Sequence, residues 1–159
     1  MIEFTVFGQP RPAGSKRAFM RPGMKHPSIV DACKGSREWK NLVSDAARQA
    51  YQGPLLDGAL FLELTFYVVR PKGHYKGGKP QSNELAKSAP RFPVTRPDAT
   101  KYCRAVEDAL TGIVWRDDAQ IVCQVVRKKF ADPPGVLVQV QQLNNEIPAE
   151  ERFISTPGA

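Results

Sequence analysis

The stretch TRPDATKYCRAVEDALTGIVWRDDAQIV, residues 95–122, joins a helix, a turn and the start of a strand. Residues from Thr95 to Leu110 predict a helix, and Gly112 is a residue type that commonly follows a helix end. The β-branched residues from Ile121 to Phe130 predict a strand. Two adjacent acids, Asp117-Asp118, lie in the turn between the two elements.

Further elements lie on both sides of this stretch. Ile2 to Phe7 alternates apolar and polar residues, which is typical of a half-buried strand. Ser36 to Tyr51 predicts a first helix with Ser36 as its N-cap, and Gly53-Pro54 ends it. Residues 18–35 and 71–93 are rich in glycine and proline and are expected to be irregular.

Two more strands complete the predicted fold. Ala59 to Val69 predicts a strand that carries Leu60, Leu62, Leu64 and Phe66 on one face. Val136 to Leu143 predicts the last strand, joined to the preceding one by a hairpin turn at Asp132-Pro133-Pro134-Gly135. The order β-α-β-α-β-β predicts an α+β fold, a single domain with a small mixed sheet and two helices.

Length and composition restrict the class of protein. A chain of 159 residues fits one domain, which we expect to span residues 1–143, followed by a polar tail at 144–159. The formal net charge of +7 and the isoelectric point of about 9.5 favour a polyanionic partner such as nucleic acid. With neither a signal peptide nor an apolar run of membrane-spanning length, the sequence predicts a cytoplasmic protein.

The three cysteines, Cys33, Cys103 and Cys123, are widely spaced and form no Cys-x-x-Cys pair. An odd count without such a pair argues against a zinc site or a disulfide framework. Buried free thiols are the simplest expectation.

Acidic residues at both ends of the second helix are the candidate catalytic groups. Clustered aspartates can hold Mg²⁺ through hard oxygen ligands for phosphodiester hydrolysis. The predicted helix separates Asp98 from Asp118 by roughly 20 Å, so the two meet within one chain only if the chain doubles back. Structural roles are the alternative, with Thr95 and Asp98 as a capping box and Asp117-Asp118 as a solvated turn.

Residues 96–112 and 114–122 together resemble the signature of the RusA family of Holliday-junction resolvases. The family's pattern is similar to Lys/Arg-Pro-Asp-x-Asp-Asn/Lys-x-x-Lys/Arg-Ala-x-x-Asp-Ala-Leu, followed by aromatic-x-Asp-Asp-x-Gln-Val/Ile. The segment from Phe7 to Arg17 resembles the family's Gly-x-Pro…Lys-Gly-Arg start more weakly. The resemblance implies a Mg²⁺-dependent homodimer, with Mn²⁺ as a substitute ion, that nicks four-way DNA junctions symmetrically. Members of the family are common in phage and prophage genomes and imply a role in recombination and repair.

The same resemblance implies which residues would act. Asp98 corresponds to the family's first metal-binding aspartate, and Asp118 corresponds to the last, with Asp117 beside it. Arg104 corresponds to the basic residue of the helix, which the family usually writes as lysine, and it would act with the three aspartates in catalysis.

Thr100 occupies the position of the family's second aspartate. A hydroxyl is a poor, neutral metal ligand. Glu107 cannot replace the missing carboxylate on the same ion, because it lies roughly 10 Å further along the helix. One hypothesis is therefore an active nuclease that uses Asp98, Asp117 and Asp118. The alternative is a branched-DNA-binding protein of the same fold that has lost catalysis. A third reading, a nuclease of the Pro-Asp…(Asp/Glu)-x-Lys type, is disfavoured because Glu38-Trp39-Lys40 precedes Pro97-Asp98 in the chain.

Basic residues in the irregular segments and on the second helix are the candidate DNA contacts. They are Lys16, Arg17, Arg21, Lys72, Lys76, Lys79, Lys101 and Arg104. A four-way junction has two-fold symmetry, which is a physical reason to expect a symmetric dimer. The sequence offers two candidate interfaces: the apolar residues Val136, Val138 and Val140, or the first helix with Trp39.

Overall fold

A four-stranded mixed sheet with strand order β1-β6-β4-β5 organises the protein. The computed structural model describes residues 1–14, 16–20, 22–23, 26, 28–31 and 33–144. The strands of this sheet are β1 (Ile2–Phe7), β4 (Leu60–Val68), β5 (Ile121–Phe130) and β6 (Gly135–Gln142). A separate antiparallel pair is formed by β2 (Lys16–Phe19) and β3 (Ser28–Asp31), and the helices are α1 (Ser36–Ala50) and α2 (Ala99–Leu110). The predicted α+β class with one mixed sheet and two helices is confirmed.

The core lies between one face of the sheet and the two helices. Leu60, Leu62, Leu64 and Phe66 of β4 are all fully buried, as their alternation predicts. The helices contribute residues such as Trp39 and Val106. Each large apolar side chain removed from water contributes about 1.5–3 kcal/mol, so this face of β4 fixes how the sheet and the helices pack.

The chain segment β4-α2-β5 is a parallel crossover. Strand β5 pairs with β4 in parallel, whereas β6 pairs with the opposite edge of β4 in the antiparallel direction. The predicted hairpin between β5 and β6 is therefore wrong, because β4 lies between them. Pro133 and Pro134 have no backbone N–H to donate to a hairpin ladder, and the connection instead passes the end of β4. Strand β5 is left at the edge of the sheet.

The two segments expected to be irregular contain regular contacts. Residues 18–35 include β3 and part of β2. The segment 71–93 holds three short 3₁₀ turns, Lys72–His74, Lys76–Gly78 and Pro80–Ser82, and a bridge between Tyr75 and Leu85. Backbone bonds from Lys76 N to Glu84 O (2.8 Å) and from Ala86 N to His74 O (2.9 Å) close this loop on itself, because glycines and prolines still leave enough backbone groups to pair.

Both helices begin differently from the sequence expectation. Helix α2 starts at Ala99 rather than Thr95, because the residue before Pro97 is disfavoured in the helical conformation. Helix α1 has Gly35 as its N-cap, with a φ of 82° that favours glycine, so Ser36 is the first helical residue and not the cap.

The side chains that the sequence suggested for the two candidate dimer interfaces are buried, and an interface through the first helix stays a prediction. Val136, Val138, Val140 and Trp39 are at most 2% exposed and belong to the core.

Among the thiols, Cys103 is buried as expected, but Cys123 is exposed on β5. Within the described part of the chain, none of the helices has the length and apolar character needed to cross a membrane.

Candidate active site at the two ends of helix α2

Asp98 is the N-cap residue of α2, but its carboxylate does not cap the helix. The Asp98 backbone carbonyl accepts the first hydrogen bonds of the helix, from Lys101 N at 3.1 Å and Tyr102 N at 3.4 Å. Lys101 Nζ lies 3.8 Å from Asp98 Oδ2, and 58% of the Asp98 side chain is exposed. The capping box with Thr95 is therefore absent, and the Asp98 carboxylate remains available to another ligand.

A cavity of about 220 Å³ adjoins Asp98. The loop after β1 forms one wall, held in place by a hydrogen bond of 2.8 Å from Ala13 N to Lys101 O. The lining residues are Pro12, Ala13, Gly14, Arg96, Pro97, Asp98 and Lys101. One carboxylate and two basic side chains thus share a concave surface at the start of α2.

Asp118 lies at the opposite end of α2, where two hydrogen bonds fix its carboxylate. Trp115 Nε1 donates to Asp118 Oδ1 over 2.9 Å, and Thr111 Oγ1 donates to the same oxygen. The Trp115 side chain is fully buried, so the indole anchors Asp118 to the core. Neither bond uses Oδ2, which keeps this oxygen available at the surface.

Asp117 and Gln120 build the turn that holds Asp118. Asp117 accepts a hydrogen bond from Ala119 N (2.8 Å), and Gln120 Oε1 accepts one from Asp117 N (3.1 Å), a reciprocal capping box. Gln120 Nε2 also donates to Leu56 O at 2.9 Å. The Asp117 side chain therefore has a structural role in the turn, which it caps rather than being only solvated.

The structure does not bring Asp98 and Asp118 of one chain together. They flank the 12 residues of α2, a rise of about 18 Å, whereas carboxylate oxygens bind Mg²⁺ at about 2.0–2.1 Å. Strand β5 does run back along α2, but Asp118 precedes that strand and stays at the far end. Across the described residues, no group of three or more His, Cys, Asp or Glu side chains is arranged to hold a metal ion.

Lys128 of β5 is a residue that sequence reasoning missed. Its Nζ donates to Thr95 O at 2.9 Å and to Pro97 O at 2.8 Å, and so ties the segment before Asp98 to the sheet. Arg127 points the other way and contacts Glu63. The two-residue period of a strand was the available signal, since it places only the middle residue of Arg127-Lys128-Lys129 on the helix side.

Glu107 adds a second carboxylate near the Asp118 end. Its Oε1 accepts hydrogen bonds from Gln124 Nε2 (2.5 Å) and from the Cys103 thiol (3.5 Å). Burial, followed by the charges of Glu107 and Asp118, raises the pKa of Cys103 well above its ordinary value. The Asp118 end of α2 is thus an electronegative region, whereas Lys101 offsets the charge of Asp98 at the other end.

The predicted DNA contacts are distributed over several surfaces. Arg104 is exposed on the outer face of α2, and Lys72, Lys76 and Lys79 are exposed in the ordered loop, where Lys76 pairs with Glu84 at 2.8 Å. Only the backbone is described for Lys16 and Arg17, which lie in β2, while Arg21 and the predicted tail from residue 145 lie outside the described residues. DNA binding by all of these residues stays a prediction.

Comparisons with known proteins agree with the resemblance found in the sequence. The family described as Endodeoxyribonuclease RusA matches residues 4–141, nearly the whole chain. An uncharacterized protein, YqaN of Bacillus subtilis (strain 168), is 30% identical over 143 residues, which are 90% of this chain and 97% of YqaN. Both motif-bearing ends of α2 fall inside these matches. The chain belongs to the RusA endodeoxyribonuclease family.

Proposed function

We propose that the protein is a Mg²⁺-dependent homodimeric endonuclease that nicks four-way DNA junctions in recombination and repair. Membership of an endodeoxyribonuclease family supports the reaction class. The observation that carries the proposal is the pair of available aspartate oxygens, on Asp98 and Asp118, at opposite ends of one helix.

Two copies of the chain are needed for these oxygens to share an ion. The length of α2, about 18 Å, keeps Asp98 and Asp118 of one chain apart. A two-fold axis that sets the two α2 helices side by side and antiparallel brings the start of one helix to the end of the other. Such a dimer has two identical sites, which suits symmetric nicking of a two-fold symmetric junction.

The exposed edge of β5 is the surface we assign to this dimer. β5 pairs only with β4 among the described strands, and Val122 on it is 63% exposed. Unpaired strand edges readily pair with a second chain. Asp118 precedes the first residue of β5, and Lys128 near its last residue contacts the segment before Asp98.

Antiparallel pairing of β5 with its copy also matches charge. The acidic start, Asp117-Asp118, would face the basic end, Arg127-Lys128-Lys129, of the partner, and the reverse holds at the other end of the pair. Opposite charges across a strand pair are stabilising, and like charges are destabilising. The same operation brings Asp118 towards Asp98 of the partner subunit.

The residues of this composite site fit a hard divalent cation. Carboxylate oxygens are the ligands that Mg²⁺ prefers, and Mn²⁺ accepts the same set. Asp98 and Asp118 would hold the ion, whereas the Asp117 carboxylate is engaged with Ala119 N. The bound ion would polarise the scissile phosphate and lower the pKa of the attacking water.

Arg104 and Thr100 complete the proposed site. Arg104 is an exposed residue in the middle of α2 and would stabilise the phosphate charge without donating a proton, since arginine stays protonated at neutral pH. Thr100, also exposed, would contribute at most a neutral hydroxyl. Two carboxylates with metal-bound waters are an accepted arrangement for Mg²⁺.

The nicking activity of a heterodimer distinguishes a site shared between two chains from a site within one chain. Asp98→Asn and Asp118→Asn chains, carrying different affinity tags, are co-expressed and purified through both tags. In a composite arrangement one site of the heterodimer combines both substitutions, and the other retains both aspartates. The heterodimer should then nick a single strand at about half the wild-type rate, while each homodimer is inactive.

The outcomes distinguish the alternatives. A heterodimer that binds a synthetic junction but leaves both strands intact, although the wild-type protein nicks them, contradicts the composite site. A wild-type protein that binds the junction and never nicks it with Mg²⁺ or Mn²⁺ contradicts the enzyme. That result favours the alternative of a non-catalytic branched-DNA-binding protein with Thr100 in place of a ligand.

A further inference from the structure

A second cavity, of about 200 Å³, lies beneath the start of α2 at the carboxyl ends of β4 and β5. It is distinct from the cavity that contains Asp98, and Arg96 lines both. The lining residues are Val68, Val69, Pro71, Thr95, Arg96, Tyr102, Lys128 and Phe130. A molecule seated in this cavity would therefore be separated from Asp98 by little more than the Arg96-Pro97 segment.

The walls of this cavity are aromatic and held in place. The Tyr102 ring stacks on Phe66 with ring centroids 5.2 Å apart, and Tyr102 is only 3% exposed. The Phe130 ring is contacted by the Arg70 guanidinium at 4.0 Å and by the edge of His74 at 5.6 Å. Fixed aromatic and aliphatic walls suit a flat heteroaromatic ring better than a flexible polar chain.

Lys128 supplies a positioned polar group of the cavity. An ammonium has three N–H donors, and two of those on Lys128 are engaged by Thr95 O and Pro97 O. One donor remains for a ligand, and the two carbonyl bonds fix where it lies. Thr95 and Arg96 also line the cavity. A positioned ammonium beside aromatic and aliphatic side chains is a recognition arrangement for a ring that carries a hydrogen-bond acceptor.

We propose that this cavity binds an unpaired nucleobase of the nucleotide next to the scissile phosphate, with Lys128 donating to an acceptor on the base edge. The inference rests on the proposed junction-nicking function and adds a specificity site to it. Bases at a branch point can leave the stack at lower cost than paired bases. Arg96, at the boundary of both cavities, is placed to contact a phosphate of this nucleotide.

The proposal predicts that the identity of the base affects nicking. Every unpaired base carries acceptors and most carry an amino group on their edges, and only an acceptor can receive a hydrogen bond from an ammonium, so the ranking of bases reports which edge faces Lys128. The cavity would thus bias where nicking occurs along a junction, independently of the metal site. The aromatic and aliphatic walls would contribute apolar contacts that are similar for every base.

A cleavage-site comparison tests the role of Lys128. A set of four-way junctions that differ only in the bases at the branch point is cut with wild-type protein, with Lys128→Met and with the control Lys87→Met. Lys87 is exposed and lines neither cavity. Loss of a hydrogen bond from a charged donor should lower the wild-type preference between best and worst base by roughly tenfold in Lys128→Met, with no change in the control. Slower nicking by Lys128→Met with an unchanged ranking of sites overturns the proposal, because that result describes only a residue that positions Asp98.

A binding measurement keeps this test independent of catalysis. A junction with 2-aminopurine at the branch point is titrated with protein in EDTA, where base unstacking raises the emission. The exposed Val69 lines the cavity, so Val69→Phe should fill the cavity without disturbing the core and should reduce the rise. An emission change that is the same for wild type and Val69→Phe overturns the nucleobase site. A wild-type protein that shows the Val69-dependent rise but never nicks the junction contradicts the proposed nuclease and leaves the base site supported.

Discussion

The two ends of helix α2 use their aspartates in different ways. At the start, Asp98 occupies the N-cap position, but its side chain accepts no capping hydrogen bond and is 58% exposed. At the far end, Asp117 caps a 3₁₀ turn, and Asp118 accepts from a fully buried indole. The three aspartates therefore differ in role. Asp98 accepts no structural hydrogen bond, and Asp117 builds a turn. Asp118 is anchored by one carboxylate oxygen and keeps the other available.

This difference separates what each carboxylate contributes to ligand binding from what it contributes to the stability of the fold. A carboxylate that forms no structural bond can be optimised for a ligand at little cost in folding free energy. An anchored carboxylate is positioned more rigidly, but its loss also affects folding. Substitutions at the two ends should therefore separate effects on nicking from effects on stability.

Asp98→Asn tests the start of the helix and should have the largest effect on activity. Removing a metal-binding charge worth several kcal/mol should slow junction nicking by about a hundredfold or more. Because the Asp98 carboxylate accepts no capping hydrogen bond, the free energy of unfolding should change by less than about 0.5 kcal/mol. Nicking rates in Mg²⁺ and urea denaturation measure the two quantities, and a large loss of stability would show that Asp98 has a structural role.

Asp118→Ala and Asp118→Asn separate the two roles at the far end. Alanine removes the acceptor of the buried Trp115 indole, which should cost about 1–3 kcal/mol of unfolding free energy. Asparagine keeps an oxygen for Trp115 and Thr111 and should retain most of that stability while still losing nicking. Equal stability of the two variants in denaturant titrations would contradict the anchoring role.

Asp117→Ala tests the turn that supports Asp118. Loss of the capping bond to Ala119 N should cost about 1 kcal/mol, with nicking reduced far less than in Asp98→Asn. Thermal denaturation and the junction assay are the measurements. A loss of activity as complete as that of Asp98→Asn would make Asp117 a third metal ligand rather than a capping residue.

Cys103→Ala tests the electronegative surroundings of the Asp118 end. Of the substitutions considered, it should have the smallest effect, which is a change in how the unfolding free energy depends on pH. Burial and Glu107 raise the pKa of Cys103 in the folded state, so folding keeps the thiol protonated. Its stabilising contribution is complete below the unfolded thiol pKa of about 8.5 and declines as the pH rises above it, because only the unfolded chain can then ionise. Unfolding free energies of the wild type should therefore fall more steeply between about pH 8 and pH 10 than those of Cys103→Ala; parallel curves would contradict the shift.

Local sequence signals predicted much of the fold and part of the site. Alternation identified β1 and the buried face of β4, and the residues that flank α2 identified Asp98 and Asp118. The pairing of strands could not be predicted from local signals, because nothing in the residues of β5 and β6 indicates that β4 lies between them. Lys128 was missed for the same reason: its partners, Thr95 O and Pro97 O, are more than thirty positions away and are backbone atoms.

The sequence by itself determined the fold class, the family and the candidate acids, because these depend on side-chain periodicity and on short motifs carried by contiguous residues. Only the tertiary structure decided that the chain does not double back to bring Asp98 and Asp118 together, that Lys128 contacts the segment before Asp98, and that β5 is an exposed edge. These properties depend on how helix α2 and the strands pack in three dimensions. The packing is fixed by the summed burial of residues such as Leu62 and Trp115 from distant parts of the chain.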